Sequence, residues 1–142
     1  MTMQNKVVMR RIYEEVWNQG KLELLDELVS EDYIGHLPTP SHAPKGRDGL
    51  RWLIEVYRAG FPDIWVQVDD QIAEGDKVLT KISIRGTHQG TFMNIPPTNQ
   101  EITVGAMVMT RFENGRNVEG WATLDRLGLM QQLGVVPTPQ QS

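Results

Sequence analysis

Asn114-Gly115 stands between two stretches of alternating apolar and polar residues, about Ile102–Glu113 and Arg116–Asp125. No other feature restricts the fold of this chain so strongly. Both central residues of a two-residue type I′ turn need φ > 0, which Asn and Gly tolerate best, so the dipeptide predicts an antiparallel hairpin. A two-residue loop also sets the pairing. Glu113 then opposes Arg116, Val108 opposes Trp121, and Val104 opposes Asp125. Counted this way, Trp121, Thr123 and Asp125 share one face with Val104, Ala106 and Val108. Met107, Met109 and Arg111 fall on the other face. There the methionines are expected to pack beneath helices or at a subunit interface, and Arg111 to be an ion-pair or interface residue and not a catalytic one.

Two more strands precede the hairpin. Ile64, Val66, Val68 and Ile72 alternate with Trp65, Gln67 and Asp69, and Val78, Thr80, Ile82 and Ile84 follow the turn at Glu74-Gly75. Gly86–Gln100, with Pro96-Pro97, is a loop. Before Pro62 the period is helical. Val8, Ile12, Tyr13, Val16 and Trp17 form one face of a helix over about Gln4–Asn18, stopped by Gly20. Leu22, Leu24, Leu25 and Leu28 mark a short second helix, closed by Ser30-Glu31-Asp32. Tyr33–Lys45 reads as an irregular loop because Pro38, Pro40 and Pro44 are not tolerated inside a helix. Leu50, Leu53, Ile54 and Tyr57 define a third helix ending at Gly60. Helices first and antiparallel strands after them predict an α+β fold, a twisted sheet closing around the N-terminal helices. The 142 residues fit one domain, 1–142, with 135–142 expected to be a frayed tail.

Composition narrows the function classes. A net charge of −4 argues against a general nucleic-acid binder, which needs a basic face. With no cysteine, disulfides, thiolate catalysis and cysteine-ligated zinc are excluded. The segment MTMQNKVVMRR has no apolar core of signal-peptide length, and no apolar run approaches the roughly 20 residues of a membrane span. A cytoplasmic location without membrane contact is the default expectation. The three histidines lack H-x-H or H-E-x-x-H spacing, so no metal site is expected. There is no G-x-S-x-G elbow, phosphate loop or dinucleotide fingerprint either.

Several strings together resemble the SnoaL-like polyketide cyclases and ester cyclases of the NTF2-like superfamily. They are Tyr13–Gly20 (YEEVWNQG), Asp26–Tyr33 (DELVSEDY) with His36, and Phe61-Pro62-Asp63. Gly86–Gly90 (GTHQG), Ile95–Thr98 (IPPT), Arg111–Gly115 (RFENG) and Trp121–Gly134 (WATLDRLGLMQQLG) continue the series. The resemblance implies a cone: a curved, mostly antiparallel sheet closed by helices around one pocket, in a chain that forms homodimers or higher oligomers. It implies ring closure by intramolecular aldol condensation on an apolar, polyketide-like carbonyl substrate, without metal or organic cofactor. It places the acid/base at Asp125, by position in the W-x-x-x-D string. The chain departs from the family pattern at Gly120, where a histidine is common, and at Val108, where an acidic residue is common. Asn94 and Asn99 replace the glycines that flank the Pro-Pro loop, and asparagine is the next most tolerant residue at φ > 0.

Each candidate site residue carries two readings. Asp125 is a general base whose pKa an apolar pocket would raise, or the N-cap of a helix over Arg126–Leu133. His36 and His88 are donors to a substrate carbonyl, or structural histidines held by hydrogen bonds. Trp121, Trp17, Tyr33, Phe92, Val108 and Trp52 are pocket walls for an apolar ligand, or core. Two functions remain open: a cofactor-free cyclase or isomerase, and a non-catalytic domain for small-molecule binding or dimerisation. An Asp125 that is exposed or fully engaged as a cap would sink the first, which takes Asp125 as its acid/base.

Overall fold

Apart from one early strand and a closing helix, the change of hydrophobic period at Pro62 is also the change from helix to sheet in three dimensions. The computed structural model describes residues 2–37 and 39–137. Helix α1 (Thr2–Arg11) runs on into a wider π-type turn over Ile12–Trp17. That turn brings Ile12, Tyr13, Val16 and Trp17, all buried, to one side; such turns recur at functional sites. A 3₁₀ turn (Leu22–Leu24) leads into α2 (Leu25–Leu28), and α3 spans Arg47–Gly60. The remaining strands are β2 (Trp65–Glu74), β3 (Lys77–Thr87), β4 (Glu101–Glu113) and β5 (Arg116–Leu124), and α4 (Arg126–Leu133) follows.

One strand was not expected. Val29–His36 is β1, lying parallel to β5 at the edge of a sheet ordered β1-β5-β4-β3-β2, and not the start of a loop. Only Val29 and Tyr33 of β1 are buried, so its sequence shows no alternation to read. The irregular part of the 33–45 stretch is confined to its end, beyond His36. Of the predicted tail, residues beyond Pro137 lie outside those described, as does Pro38 in the loop.

Side-chain hydrogen bonds fasten the layers at the strand ends. The Asn18 carboxamide donates to Val66 O (2.9 Å) and accepts from Val66 N (2.7 Å), so the end of the first helix extends the edge of β2. Asp63 accepts from Thr87 N (2.7 Å) and Thr87 Oγ1 (2.8 Å), joining the approach to β2 to the end of β3. Burial alone would raise the Asp63 pKa, but these bonds outweigh it and hold the carboxyl below its ordinary value. Gln132 of α4 bonds both ways with the Thr103 backbone, at 2.7 and 2.9 Å. Asn94 (φ 65) and Asn99 (φ 60) both adopt the left-handed conformation that glycine would supply.

The Asn-Gly turn forms as predicted, with φ of 51 and 79 at its two residues and Glu113 opposite Arg116. The predicted register holds as far as Phe112 opposite Asn117. Val118 is then an extra residue, so Arg111 pairs with Glu119, Met109 with Trp121 and Ala106 with Leu124. A one-residue slip exchanges the two faces of everything downstream. Trp121 and Thr123 therefore lie with Met107 and Met109 on the open face, and Gly120, Ala122 and Leu124 take the helix-covered face. The same thing happens in β2. A bulge between Val68 and Asp70 pairs Ile72 with Leu79 and leaves Ile72 62% exposed, not buried with Val66.

Candidate functional site

A cavity of about 90 Å³ lies between the covered face of the sheet and the first helix with its π turn. Its walls are almost wholly apolar. Ile12, Trp17, Ile82, Ala106, Val108 and Leu124 are among the lining residues, and Tyr13, Tyr33, Tyr57, Thr110 and Asn117 supply the polar atoms. An engineered apolar cavity of about 150 Å³ takes one benzene, whereas drug-sized ligands need roughly 300–1,000 Å³. The inner space is therefore on the scale of one small ring. A second chamber of about 360 Å³ adjoins it across Tyr33, Leu37 and Leu50, lined by the 39–46 loop and the start of α3.

Tyr13 and Tyr33 are both at least 95% buried, and desolvation pushes both phenols well above the ordinary tyrosine value. Tyr57 is raised for the same reason, opposed by the nearby charge of Arg126. At neutral pH these groups are un-ionised hydrogen-bond donors and not bases. Gly120 explains how Tyr33 fits. A Cβ at position 120 would collide with the Tyr33 hydroxyl, so the absence of a side chain there makes room for the phenol. Thr110 is already engaged, its hydroxyl donating to Val78 O (3.3 Å).

Of the nine residues singled out from the sequence, Trp17, Tyr33 and Val108 line this cavity; the other six do not. Asp125 is exposed and is the N-cap of α4, accepting from Gly128 N at 2.9 Å. Gly128 permits this, because a Cβ there would strike the carboxylate. The capping reading of Asp125 is the one its geometry matches. His36 projects from the open face, stacked on Trp121 (5.1 Å between centroids) and bonded through Nε2 to Glu119 Oε2 (2.8 Å). Arg111 holds the other Glu119 oxygen (3.1 Å) and reaches Glu113 (2.8 Å), the ion pairing expected of it. The His36 hydrogen bond, with Arg111 behind it, keeps the Glu119 carboxyl below its ordinary value.

His88 is fully buried. Its Nδ1 accepts from Thr98 N (3.2 Å) and lies 3.0 Å from Thr98 Oγ1, so the ring organises the Pro-Pro loop. An Nδ1 that accepts from a backbone N–H leaves the ring proton on Nε2. Phe92 is core, wedged against Gly60, Tyr57 and Phe61. Trp52 sits in a surface groove, edge-on to an exposed His42 at 5.9 Å. Asn117, Leu37 and Ala122 line the cavity but were not singled out. The pairing of Asn117 with Phe112 precedes the bulge, so its inward direction was the one part of this face the turn register could have revealed.

The chain matches the family model of the SnoaL-like polyketide cyclases over residues 7–133. It belongs to that family. Among solved structures it is similar to TsrD from Streptomyces laurentii, at TM-score 0.87 and 26% identity over 96% of this chain and 98% of that one. IdmH from Streptomyces antibioticus, a candidate polyketide cyclase, superposes at TM-score 0.81 with 35% identity, covering 93% and 99%. A candidate polyketide cyclase from Bacillus cereus gives TM-score 0.80 and 29% identity, covering 94% and 82%. No curated protein matches the sequence. In this SnoaL-like chain no group of three or more His, Asp or Glu among the described residues is placed to hold a metal ion, and no described helix is long and apolar enough to cross a membrane.

Proposed function

We propose that the cavity binds a small, largely apolar carbonyl compound and that the chain acts on it as a cyclase or isomerase of the polyketide type. The observation that carries this reading is an apolar, ring-sized cavity whose polar atoms include the un-ionised phenols of Tyr13 and Tyr33. Closure by the enol form of a 1,3-dicarbonyl balances without a protein carboxylate. The enol carbon bonds the acceptor carbonyl, the enol O–H proton is given up as the enol oxygen becomes a carbonyl, and one proton ends on the new alkoxide. A preorganised neutral donor in an apolar site stabilises the charge developing on that alkoxide. Tyr33 is assigned that donor role, with Tyr13 beside it. Asp125 is given no acid/base role in this reading, because it is exposed and engaged as the α4 cap. The Asp125-based cyclase expected from the sequence is thereby replaced by one that relies on the phenols. The apolar ring of the substrate occupies the inner space and its remainder the chamber lined by the 39–46 loop.

The experiment is a turnover screen of short 1,3-dicarbonyl and polyketide esters, read by mass spectrometry, on the wild type and Tyr33→Phe. Loss of one such donor is expected to cost on the order of 10²-fold or more in kcat. Equal turnover by Tyr33→Phe would remove the phenol from the mechanism. A second reading is a binding domain without turnover, favoured because the cavity lining includes neither a carboxylate nor an imidazole. Saturable binding of these compounds with no product would select it.

The same proposal includes a homodimer formed across the open face. Ile72, Leu79, Met109 and Trp121 are successive register partners, so they form one apolar row running across four strands. Ile72 and Leu79 are 62% and 38% exposed. Sedimentation should show a dimer that Leu79→Glu dissociates. A wild type that sediments as a monomer at every concentration would refute the assembly.

A further inference from the structure

Asn117 differs from the other polar residues of the cavity. Its side chain is only 2% exposed, it points inward opposite Phe112, and its Oδ1 has no hydrogen-bond partner among the described residues. Thr110, by contrast, spends its hydroxyl on Val78 O. A buried amide oxygen in an apolar wall is costly unless something pairs with it, which makes such a group informative about what enters.

We propose that Asn117 is a specificity-determining residue whose carboxamide receives a hydroxyl carried on the ring of the ligand, so that the preferred ligand class is a neutral phenol or cyclic enol. This rests on the reading of the cavity as the ligand site. A carboxamide presents an acceptor and donors side by side, and a hydroxyl is both donor and acceptor, so the two are complementary. None of the lining residues carries a charge that would compensate a carboxylate or an ammonium group, and burying an unpaired ion there is prohibitive. The inner volume of about 90 Å³ limits the buried part of the ligand to about one ring. An unsubstituted ring would fill the same space and leave the amide unpaired.

The test is calorimetric titration of the full chain with phenol and with toluene, which share size and shape. The wild type is compared with Asn117→Leu, an apolar replacement of similar volume. Asn117→Ala serves as a second variant in case the leucine disturbs the fold. The variants are expected to shift the phenol-to-toluene affinity ratio on the order of tenfold towards toluene while still binding toluene. A ratio unchanged in the variants, with both probes bound, would overturn the role of Asn117 and leave the cavity reading standing. If neither probe binds the wild type, the cavity is not a ligand site and both proposals fall.

Discussion

Strands β3 and β4 pair without interruption from Lys77 opposite Arg111 to Thr87 opposite Glu101, whereas β2 and β5 each carry one extra residue. The consequence shows in burial. Along β3 and β4, Val78, Thr80, Ile82, Ile84, Ile102, Val104 and Ala106 are all buried as their alternation demands. Along β2 and β5 the alternation changes phase at the bulge, so Ile72 and Trp121 face away from the cavity and Gly120, Ala122 and Leu124 face or line the covered side. Alternation reports which residues share a face only within an unbroken ladder. A single unpaired residue therefore decides whether a tryptophan or a glycine lies beside Tyr33 on the covered face.

The largest effect that would break this comparison is deletion of Gly120, one position beyond the bulged pair. Deleting Val118 itself would leave Glu119 opposite Arg111 and Trp121 opposite Met109, whereas deleting Gly120 brings Trp121 opposite Thr110, towards the cavity, and turns Ala122 and Leu124 away from it. An indole in the space where even a Cβ meets the Tyr33 hydroxyl should abolish a cooperative thermal transition. A Gly120 deletion variant that melts like the wild type would mean that the register beyond the bulge does not control the faces.

Next in size is Gly120→Ala. The new methyl would meet the Tyr33 hydroxyl, a clash of the kind that costs about 2 kcal/mol. Tyr33→Phe removes that hydroxyl and should recover much of the loss. Denaturant midpoints of both single variants and the double variant measure the coupling, and simple additivity would show that the phenol and Gly120 do not share space.

Asp125→Ala is expected to lower stability by about 1 kcal/mol through loss of the α4 cap. Ligand binding should not change, because the residue lies outside the cavity. A turnover defect larger than the stability loss explains would return Asp125 to the mechanism.

The smallest expected effect is a pH dependence confined to the open face. Glu119 has a folded pKa below its ordinary value of 4.5, so its contribution is fully present above that value and disappears as the pH falls through the depressed one. Glu119→Gln should therefore lower the denaturant midpoint at neutral pH, with the gap to wild type closing in acid. A gap of constant size across that range would mean the His36–Glu119–Arg111 contacts contribute nothing to the acid limb.

Much of the fold was legible from local chemistry. The Asn114-Gly115 turn, the helix on Leu50, Leu53 and Ile54, and the left-handed asparagines of the Pro-Pro loop are all short-range consequences of residue type. The strings around Tyr13, Pro62 and Trp121 sufficed for the family. Trp17 and Val108 line the cavity from the first helix's π turn and from β4, whose directions do not depend on the extra residue in β5. Strand β1 escaped because an edge strand with two buried residues has no pattern of its own; its ladder partner β5 lies more than eighty residues away in sequence.

The candidate site divides along the same line. By itself the sequence determined that the chain is an α+β domain of the SnoaL-like family with an aromatic-rich apolar interior, since turn propensity and hydrophobic period act over a few residues. Only the tertiary structure decided that Tyr33 occupies the space beside Gly120, that Asn117 turns an unpartnered amide inward, and that Asp125 and His36 lie outside the cavity. Those outcomes depend on the register between strands, and one bulged residue is enough to reverse it.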